Sequence, residues 1–287
     1  MKKRLLFFII MAVLMSFTYD KPAYKLYTGK GKKIKYSEMI TNLAKADFVF
    51  IGELHNNPIA HWMELEITKD IYAIKKENTI LGAEMFEADN QLIIDEYLTS
   101  VYSSKKFEPE MKLWPNYSTD YKPLLNFAKD SNISFIATNI PRRYASLTYK
   151  EGFEGLEKLT GEAKKYIAPL PIKYDKNLDC YKSMMQMDGM GAHVNKNLPK
   201  SQAIKDATMA YFTNKNWKKG QTFIHYNGSY HSDNHQGIVW YLKKYNKKAK
   251  IKTVTTVSQK DLSILDNKYK KQADYIIVVD ENMSTTY

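Results

Sequence analysis

Residues 47–57 read Asp-Phe-Val-Phe-Ile-Gly-Glu-Leu-His-Asn-Asn, and the rest of the chain is best interpreted outward from them. The first five, Asp47–Ile51, form an apolar run that predicts a strand buried on both faces. A polar Gly-x-x-His turn follows, from Gly52 to His55. Asn57 and the proline after it then supply a cap and a first-turn residue for a helix over Pro58–Lys76. The stretch therefore predicts a strand and a helix with polar side chains at their junction.

Five further runs have the same strand character and are separated by helical segments. These strands are predicted at Thr79–Glu84, Ile133–Thr138, Thr222–Tyr226, Ile251–Val257 and Asp274–Val279. The additional helices are predicted at Gln91–Leu98, Tyr121–Asp130, Gln202–Thr213 and Gly237–Lys244. Because strands alternate with helices, the predicted fold class is α/β, with a mostly parallel β-sheet flanked by helices.

The interval from about residue 149 to residue 216 lacks any strand pattern. It contains glycine-punctuated, methionine-rich sequence that is typical of short helices and turns. We interpret it as a smaller helical cap inserted between the third and fourth predicted strands. Residues 19–287 are therefore expected to form one α/β domain that carries this cap.

The composition is that of a folded globular protein, with 44% hydrophobic and 26% charged residues. It excludes a disordered tail, a collagen-like repeat and a disulfide framework, since Cys180 is the single cysteine. The formal net charge is +12. The basic residues occur in scattered pairs, which is typical of a solvated surface, so nucleic acid is not expected as a partner.

Residues 1–18 have the pattern of a secretory signal peptide. Lys2, Lys3 and Arg4 precede an apolar run of 13 residues, Leu5–Phe17. A membrane span needs about 20 apolar residues, so the run is short for one. No cysteine lies near its end to receive a lipid anchor. We therefore expect export to the periplasm or cell envelope without such an anchor.

Polar side chains lie at the carboxyl ends of three predicted strands. Glu53 and His55 follow the first strand, Glu84 ends the second, and His231 follows the fourth in another Gly-x-x-His turn. The carboxyl ends of parallel strands meet at one edge of the sheet, so these groups are expected to share a crevice. Imidazole and carboxylate groups suit a divalent metal, an acid–base pair or capture of a polar ligand. These four residues are the candidate catalytic residues, and together with His61 they are the candidate metal ligands. A hydrogen-bonded network that only holds the loops is the alternative.

Several separated motifs occur in an order that resembles a known family. They are Gly52-Glu-Leu-His55-Asn-Asn-Pro58-x-x-His61, Glu84-Met85-Phe86, Asn139 to Arg143, Gln202-x-x-x-Asp206-x-x-Met209-Ala210 and Gly228-x-x-His231. From about Phe48 to Leu242 the pattern resembles the ChaN haem-binding uptake family, within the wider superfamily of Tiki-type and erythromycin-esterase-like proteins. The resemblance implies a parallel α/β domain with a helical cap, export to the envelope, and a role in haem or iron acquisition. The Tiki-type relatives imply metal-dependent peptidase chemistry, with those roles falling on His55, Glu84 and His231.

A second set of residues has side chains suited to haem. Clustered methionines offer an adaptable apolar surface, and Met, His and Tyr can all serve as axial iron ligands. A guanidinium group matches the geometry of a haem propionate. The candidate haem-binding residues are Tyr181, Met184, Met187, His193, Arg142 and Tyr230. A methionine stripe at helical spacing also occurs in an ordinary core, and this alternative stays open.

Two functions remain as hypotheses from different classes. The first is an exported haem-binding protein that holds an iron-porphyrin between the cap and the carboxyl ends of the strands. The second is a metal-dependent hydrolase, a peptidase or an esterase, that uses the Glu/His site and a divalent metal. Whether the chain is an enzyme is left open, as are a homodimer and a peripheral association with envelope uptake machinery.

Overall fold

The computed structural model of the chain describes residues 21–186 and 195–287. Its strands are β1 (Tyr24–Thr28), β2 (Phe48–Glu53), β3 (Thr79–Glu87), β4 (Phe135–Asn139), β5 (Thr222–Gly228), β6 (Ile251–Gln259) and β7 (Tyr275–Asp280). They form one sheet in the order β1-β7-β6-β2-β5-β3-β4. Strand β1 pairs antiparallel with β7, and the other neighbouring strands are parallel. The predicted α/β class with a mostly parallel sheet is confirmed.

Helices connect these strands and cover both faces of the sheet. They are α1 (Tyr36–Leu43), α2 (Pro58–Lys75), α3 (Gln91–Leu98), α4 (Ser104–Glu110), α5 (Lys122–Asp130), α6 (Arg142–Glu151), α7 (Asp179–Lys182), α8 (Leu198–Asn216) and α9 (Ile238–Tyr245). Helix α2 begins as its sequence predicts, because the Asn57 side chain accepts hydrogen bonds from the amides of Ile59 and Ala60. Within the two described ranges, no helix combines the length and apolarity that crossing a membrane requires.

Strand β2 shows why the predicted strands are apolar at nearly every position. Val49 and Ile51 point to the face covered by α2 and α5. Phe48 and Phe50 point to the opposite face, against α8 and α9. Since successive side chains of a strand point to opposite faces, a strand buried on both faces has no polar alternation. All six predicted strands are found within a few residues of their predicted bounds.

The interval predicted as a helical cap has two structurally different parts. Residues 153–166 and 179–185 contain short helical turns. Helix α8 instead lies on the sheet, where Ala203, Ala207 and Ala210 pack in the same cluster as Phe48 and Phe50. The last part of the interval is thus one of the helices that flank the sheet, and the boundary of a separate cap stays a prediction.

Candidate functional site

The central strands of the sheet end at a common cleft. Strand β5 lies between β2 and β3, and Glu53 of β2 is paired in register with Gly228 of β5. The cleft has a volume of about 990 Å³. Its lining includes Glu53, Leu54, His55, Glu84, Met85, Glu87, Lys112, Leu113, Trp114, Ile140, Arg142, Tyr149, Gln202, Lys205, Gly228, Tyr230 and His231. The four candidate catalytic residues therefore do share one crevice.

The His55 imidazole is held by the carboxylate of Glu53. Its Nδ1 donates to Glu53 Oε1 at 2.6 Å, and the same oxygen accepts from the Tyr121 hydroxyl at 2.7 Å. Burial raises the pKa of Glu53, but the neighbouring imidazoles of His55 and His61 outweigh it and lower the pKa to about 2. Burial works against the charged form of His55, yet Glu53 raises its pKa overall. Nδ1 is hydrogen-bonded to Glu53, and Nε2 is the ring nitrogen that lies beside Gly228 in the wall of the cleft.

A second imidazole, His231, lies between two buried carboxylates. Its Nδ1 donates to Asp206 Oδ1 at 2.5 Å, and its Nε2 is 3.2 Å from Glu84 Oε1. Burial lowers the pKa of His231, but Glu84 and Asp206 raise it to about 10. The pKa of Glu84 is raised by burial and lowered more strongly by His231, to about 2. The group is thus a buried imidazolium flanked by carboxylates, and Glu84 Oε2 also accepts from the Gly228 amide at 2.8 Å.

Asp206 connects this group to α7. Its second oxygen, Oδ2, accepts from the Tyr181 hydroxyl at 2.7 Å. Burial raises the pKa of Asp206. One buried carboxylate therefore receives a hydrogen bond from the cleft wall and another from the short helix beside it.

A third group of side chains lies behind the cleft. His61 Nδ1 is 3.3 Å from Glu53 Oε2 and 3.2 Å from Glu64 Oε2, and all three residues are buried. Among residues 21–186 and 195–287, this is the only group of three or more His, Cys, Asp or Glu residues with mutually close ligand atoms. Burial lowers the pKa of His61, but Glu53 and Glu64 raise it to about 11. Of the five predicted metal ligands, Glu53 and His61 belong to this group, whereas Glu53, His55, Glu84 and His231 line the cleft, so Glu53 is common to both.

The structure separates the residues predicted to bind haem. Arg142 and Tyr230 line the cleft. Tyr181 and Met184 are buried and are not among the lining residues, because the Tyr181 hydroxyl is directed to Asp206. Met187 and His193 lie outside the described residues.

The sequence analysis assigned no role to several residues that form the site. Glu64 joins the buried group, and its signal was the three-residue spacing from His61 on one helix. Gln202 and Asp206 stand four apart on α8, so they project from the same side of that helix toward His231. Lys112 and Trp114 line the cleft from a connection without a readable pattern, and Tyr149 lines it from α6, a helix that was not predicted.

A family model described as haem-binding uptake, Tiki superfamily, ChaN, matches residues 39–242. No curated protein sequence shows a significant match.

Three solved structures illustrate the structural similarity. ChaN of Campylobacter jejuni, in a structure titled for its cofacial haem binding, has a TM-score of 0.66 at 18% identity, covering 89% of this chain and 96% of that one. A succinoglycan biosynthesis protein has a TM-score of 0.53 at 12% identity, covering 92% and 96%. A mutant of the erythromycin esterase EreC in its open conformation has a TM-score of 0.50 at 10% identity, covering 91% and 98%. At these identities the three structures show a shared fold.

The family model covers more than two thirds of the chain and includes β2, β3, β4 and β5, the strands that contribute residues to the cleft. It also spans Glu53, His55, Glu84 and His231. The chain therefore belongs to the haem-binding uptake family of the Tiki superfamily, ChaN.

Proposed function

We propose that this chain binds haem in the cleft at the carboxyl ends of β2, β3 and β5. The observation that carries the proposal is the cleft itself, which lies within the region matched by the haem-binding family. Its volume of about 990 Å³ is at the upper end of the range for ligand pockets, which is about 300–1,000 Å³. A large flat ligand is therefore favoured over a small metabolite.

The chemistry of the lining supports a macrocycle with acidic substituents. Leu54, Met85 and Trp114 provide apolar surface on one part of the wall. Arg142 and Lys112 are exposed cations at the cleft. Apolar surface suits the porphyrin ring, and exposed cations favour the approach of its propionates.

Five lining side chains are of the types that ligate haem iron, and their hydrogen bonds and exposure distinguish them: His55, Met85, Tyr149, Tyr230 and His231. Met85 is only 4% exposed. Both nitrogens of His231 face carboxylates, and the Tyr230 hydroxyl bonds to Ser183 and to the Cys180 carbonyl. The His55 side chain lines the cleft and is 38% exposed, and Tyr149 is 43% exposed. We expect His55 or Tyr149 to ligate the haem iron.

We also propose that the chain is exported and takes part in haem or iron acquisition. The support is the signal-like pattern of residues 1–18 and the family membership. Mass spectrometry of protein recovered from the cell envelope would test export. A mature chain that begins near residue 19 is the expected result, and an unprocessed chain confined to the cytoplasm would contradict it.

Hemin titration of the purified mature chain tests the haem proposal. The expected result is a shifted Soret band that saturates at a fixed ratio of hemin to protein. His55→Ala and Tyr149→Phe should change the position or intensity of that band, whereas His235→Ala, at a residue outside the cleft lining, should not. Weak, non-saturating association of the wild type would refute haem binding.

The metal-dependent hydrolase stays a hypothesis with less support. Among the described residues, His55, Glu84 and His231 do not form a close metal-ligand group. Activity of the metal-loaded protein on a peptide and ester panel, lost in Glu84→Gln, would support this second function.

A further inference from the structure

We propose that Glu53, His61 and Glu64 form a buried binding site for a divalent transition-metal ion such as Zn²⁺, behind the cleft rather than in it. The donor atoms are His61 Nδ1, Glu53 Oε2 and the Glu64 carboxylate. The site is separate from the proposed haem position and does not depend on haem binding.

The distances around His61 are compatible with a metal ion shared by its Nδ1 and two carboxylate oxygens. A charge-assisted N–H···O bond is about 2.7–2.9 Å long. The other two imidazoles of this region each have one short contact with a carboxylate, 2.6 Å from His55 Nδ1 and 2.5 Å from His231 Nδ1, and the second contact of His231, from Nε2 to Glu84, is 3.2 Å long. His61 Nδ1 instead lies 3.2 Å and 3.3 Å from two carboxylate oxygens. Ligands about 2.0–2.1 Å from a tetrahedral ion are about 3.3 Å apart, which matches this spacing.

Two carboxylate oxygens of this group have no hydrogen-bond partner. They are Glu53 Oε2 and Glu64 Oε1, on residues that are 1% and 0% exposed. A buried carboxylate oxygen without a partner is costly, and a cation would satisfy it. If Glu64 binds through both oxygens, the group supplies four donor atoms, the number found in structural zinc sites.

The far side of the His61 ring is arranged as in known metal sites. Its Nε2 donates to the His55 carbonyl at 3.0 Å and is 3.3 Å from Asp120 Oδ2. Asp120 in turn accepts from the Asn116 side chain at 2.7 Å. Metal-binding histidines commonly donate their other ring nitrogen to a carbonyl or carboxylate, which leaves the first nitrogen free to bind the ion.

Charge and donor type favour a divalent ion. Three carboxylates, those of Glu53, Glu64 and Asp120, surround one imidazole in a buried space. A divalent cation would offset their mutual repulsion. A set of one imidazole nitrogen and carboxylate oxygens suits zinc and related first-row ions. Such an ion would also fix Glu53, and through its Oε1 the ring of His55.

Zinc titration of the metal-stripped protein, with elemental analysis after dialysis, tests the site. We expect one zinc per chain in the wild type and loss of stoichiometric binding in Glu64→Gln. Glu84→Gln is the matched control, because Glu84 is a buried carboxylate at the cleft and not in this group. Asp120→Asn should weaken zinc binding by about 10–100-fold, the usual effect of removing a partner of a metal-binding histidine.

A measurement on the wild type alone tests the site even if the variants fail to fold. X-ray absorption of the zinc-loaded protein should show one imidazole nitrogen and otherwise oxygen ligands. Zinc retained by Glu64→Gln but lost in Glu84→Gln would place the ion in the cleft and overturn the proposal. A stripped wild type that takes up no zinc would overturn it as well.

Discussion

Gly228 lies directly against the imidazole of His55. A Cβ atom at position 228 would be 2.7 Å from His55 Nε2 and 2.8 Å from its Cε1. The backbone φ of Gly228 is −53°, so its conformation is open to any residue and only the contact requires glycine. The position of His55 at the cleft therefore depends on a missing side chain in the neighbouring strand.

Gly228→Ala should displace His55 and weaken hemin binding by about tenfold, a cost of about 1.4 kcal/mol. The added methyl should also destabilise the fold by about 1–3 kcal/mol, as overpacking usually does. Hemin titration and urea unfolding measure the two effects. Gly161→Ala is the control, because a Cβ there meets no atom within 4 Å. Equal hemin affinities of the two variants would show that the contact with His55 is irrelevant to binding.

Arg142→Ala should weaken hemin binding by up to about fivefold, since an exposed ion pair contributes about 0.2–1 kcal/mol. The effect should shrink at high salt, where exposed charges are screened. Arg143→Ala is the matched control, because Arg143 is outside the cleft lining and pairs with Asp89 at 2.7 Å. The prediction fails if removal of Arg143 weakens binding as much as removal of Arg142.

His231→Gln should destabilise the protein by about 3–5 kcal/mol, because it leaves Glu84 and Asp206 buried without their cation. Urea unfolding measures the change. His235→Gln serves for comparison, since the His235–Asp274 pair is partly exposed and should contribute only about 0–1 kcal/mol. Similar losses of unfolding free energy in His231→Gln and His235→Gln would contradict a stabilising buried ion pair at His231.

The stabilisation from Glu84 and His231 should be greatest in weak acid. The pKa of His231 is about 10 in the fold against an ordinary 6.5, so its contribution is complete below pH 6.5 and is lost as pH rises through 10. The pKa of Glu84 is about 2 against 4.5, so its contribution is complete above pH 4.5 and is lost as pH falls through 2. The unfolding free energies of wild type and His231→Gln should therefore differ most between pH 4.5 and 6.5. A difference that stays constant up to alkaline pH would be inconsistent with this pair.

Asn57→Ala should cost about 0.5–2 kcal/mol, the usual effect of losing a helix cap. The Asn57 side chain accepts from two amides of α2 at 3.0 Å, and this helix carries His61 and Glu64. Thermal or urea unfolding measures the loss. Asn56→Ala, at the exposed neighbour, should be close to neutral. Equal stabilities of Asn57→Ala and Asn56→Ala would show that the cap does not stabilise the fold.

Buried strands were predictable from sequence because both of their faces need apolar residues. The bounds of α3 agree with the prediction. The start of α2 also agrees, because Asn57 and Pro58 mark it, and its end differs by one residue. Strand β1 and helix α1 were not predicted. Strand β1 reads Tyr-Lys-Leu-Tyr-Thr at the edge of the sheet, and only two of its five residues are buried. A short half-exposed strand leaves too weak a pattern to identify.

The site could be predicted only where the backbone fixes its position. Glu53, His55, Glu84 and His231 follow strand ends, and the parallel sheet brings strand ends together. Tyr181 was expected to contact haem, but its hydroxyl donates to Asp206. This contact depends on tertiary packing, which the sequence pattern does not reveal. The pairing of His61 with Glu64 required knowing which side of α2 faces the sheet.

Asp206 is a junction between two parts of the molecule that are distant in sequence. One oxygen accepts from Tyr181 and the other from His231, so the two residues depend on the position of the same carboxylate. A ligand that draws His231 toward the cleft would leave Tyr181 as the remaining donor to that carboxylate. The cleft and helix α7 thereby share one buried carboxylate, which accepts a hydrogen bond from each of them.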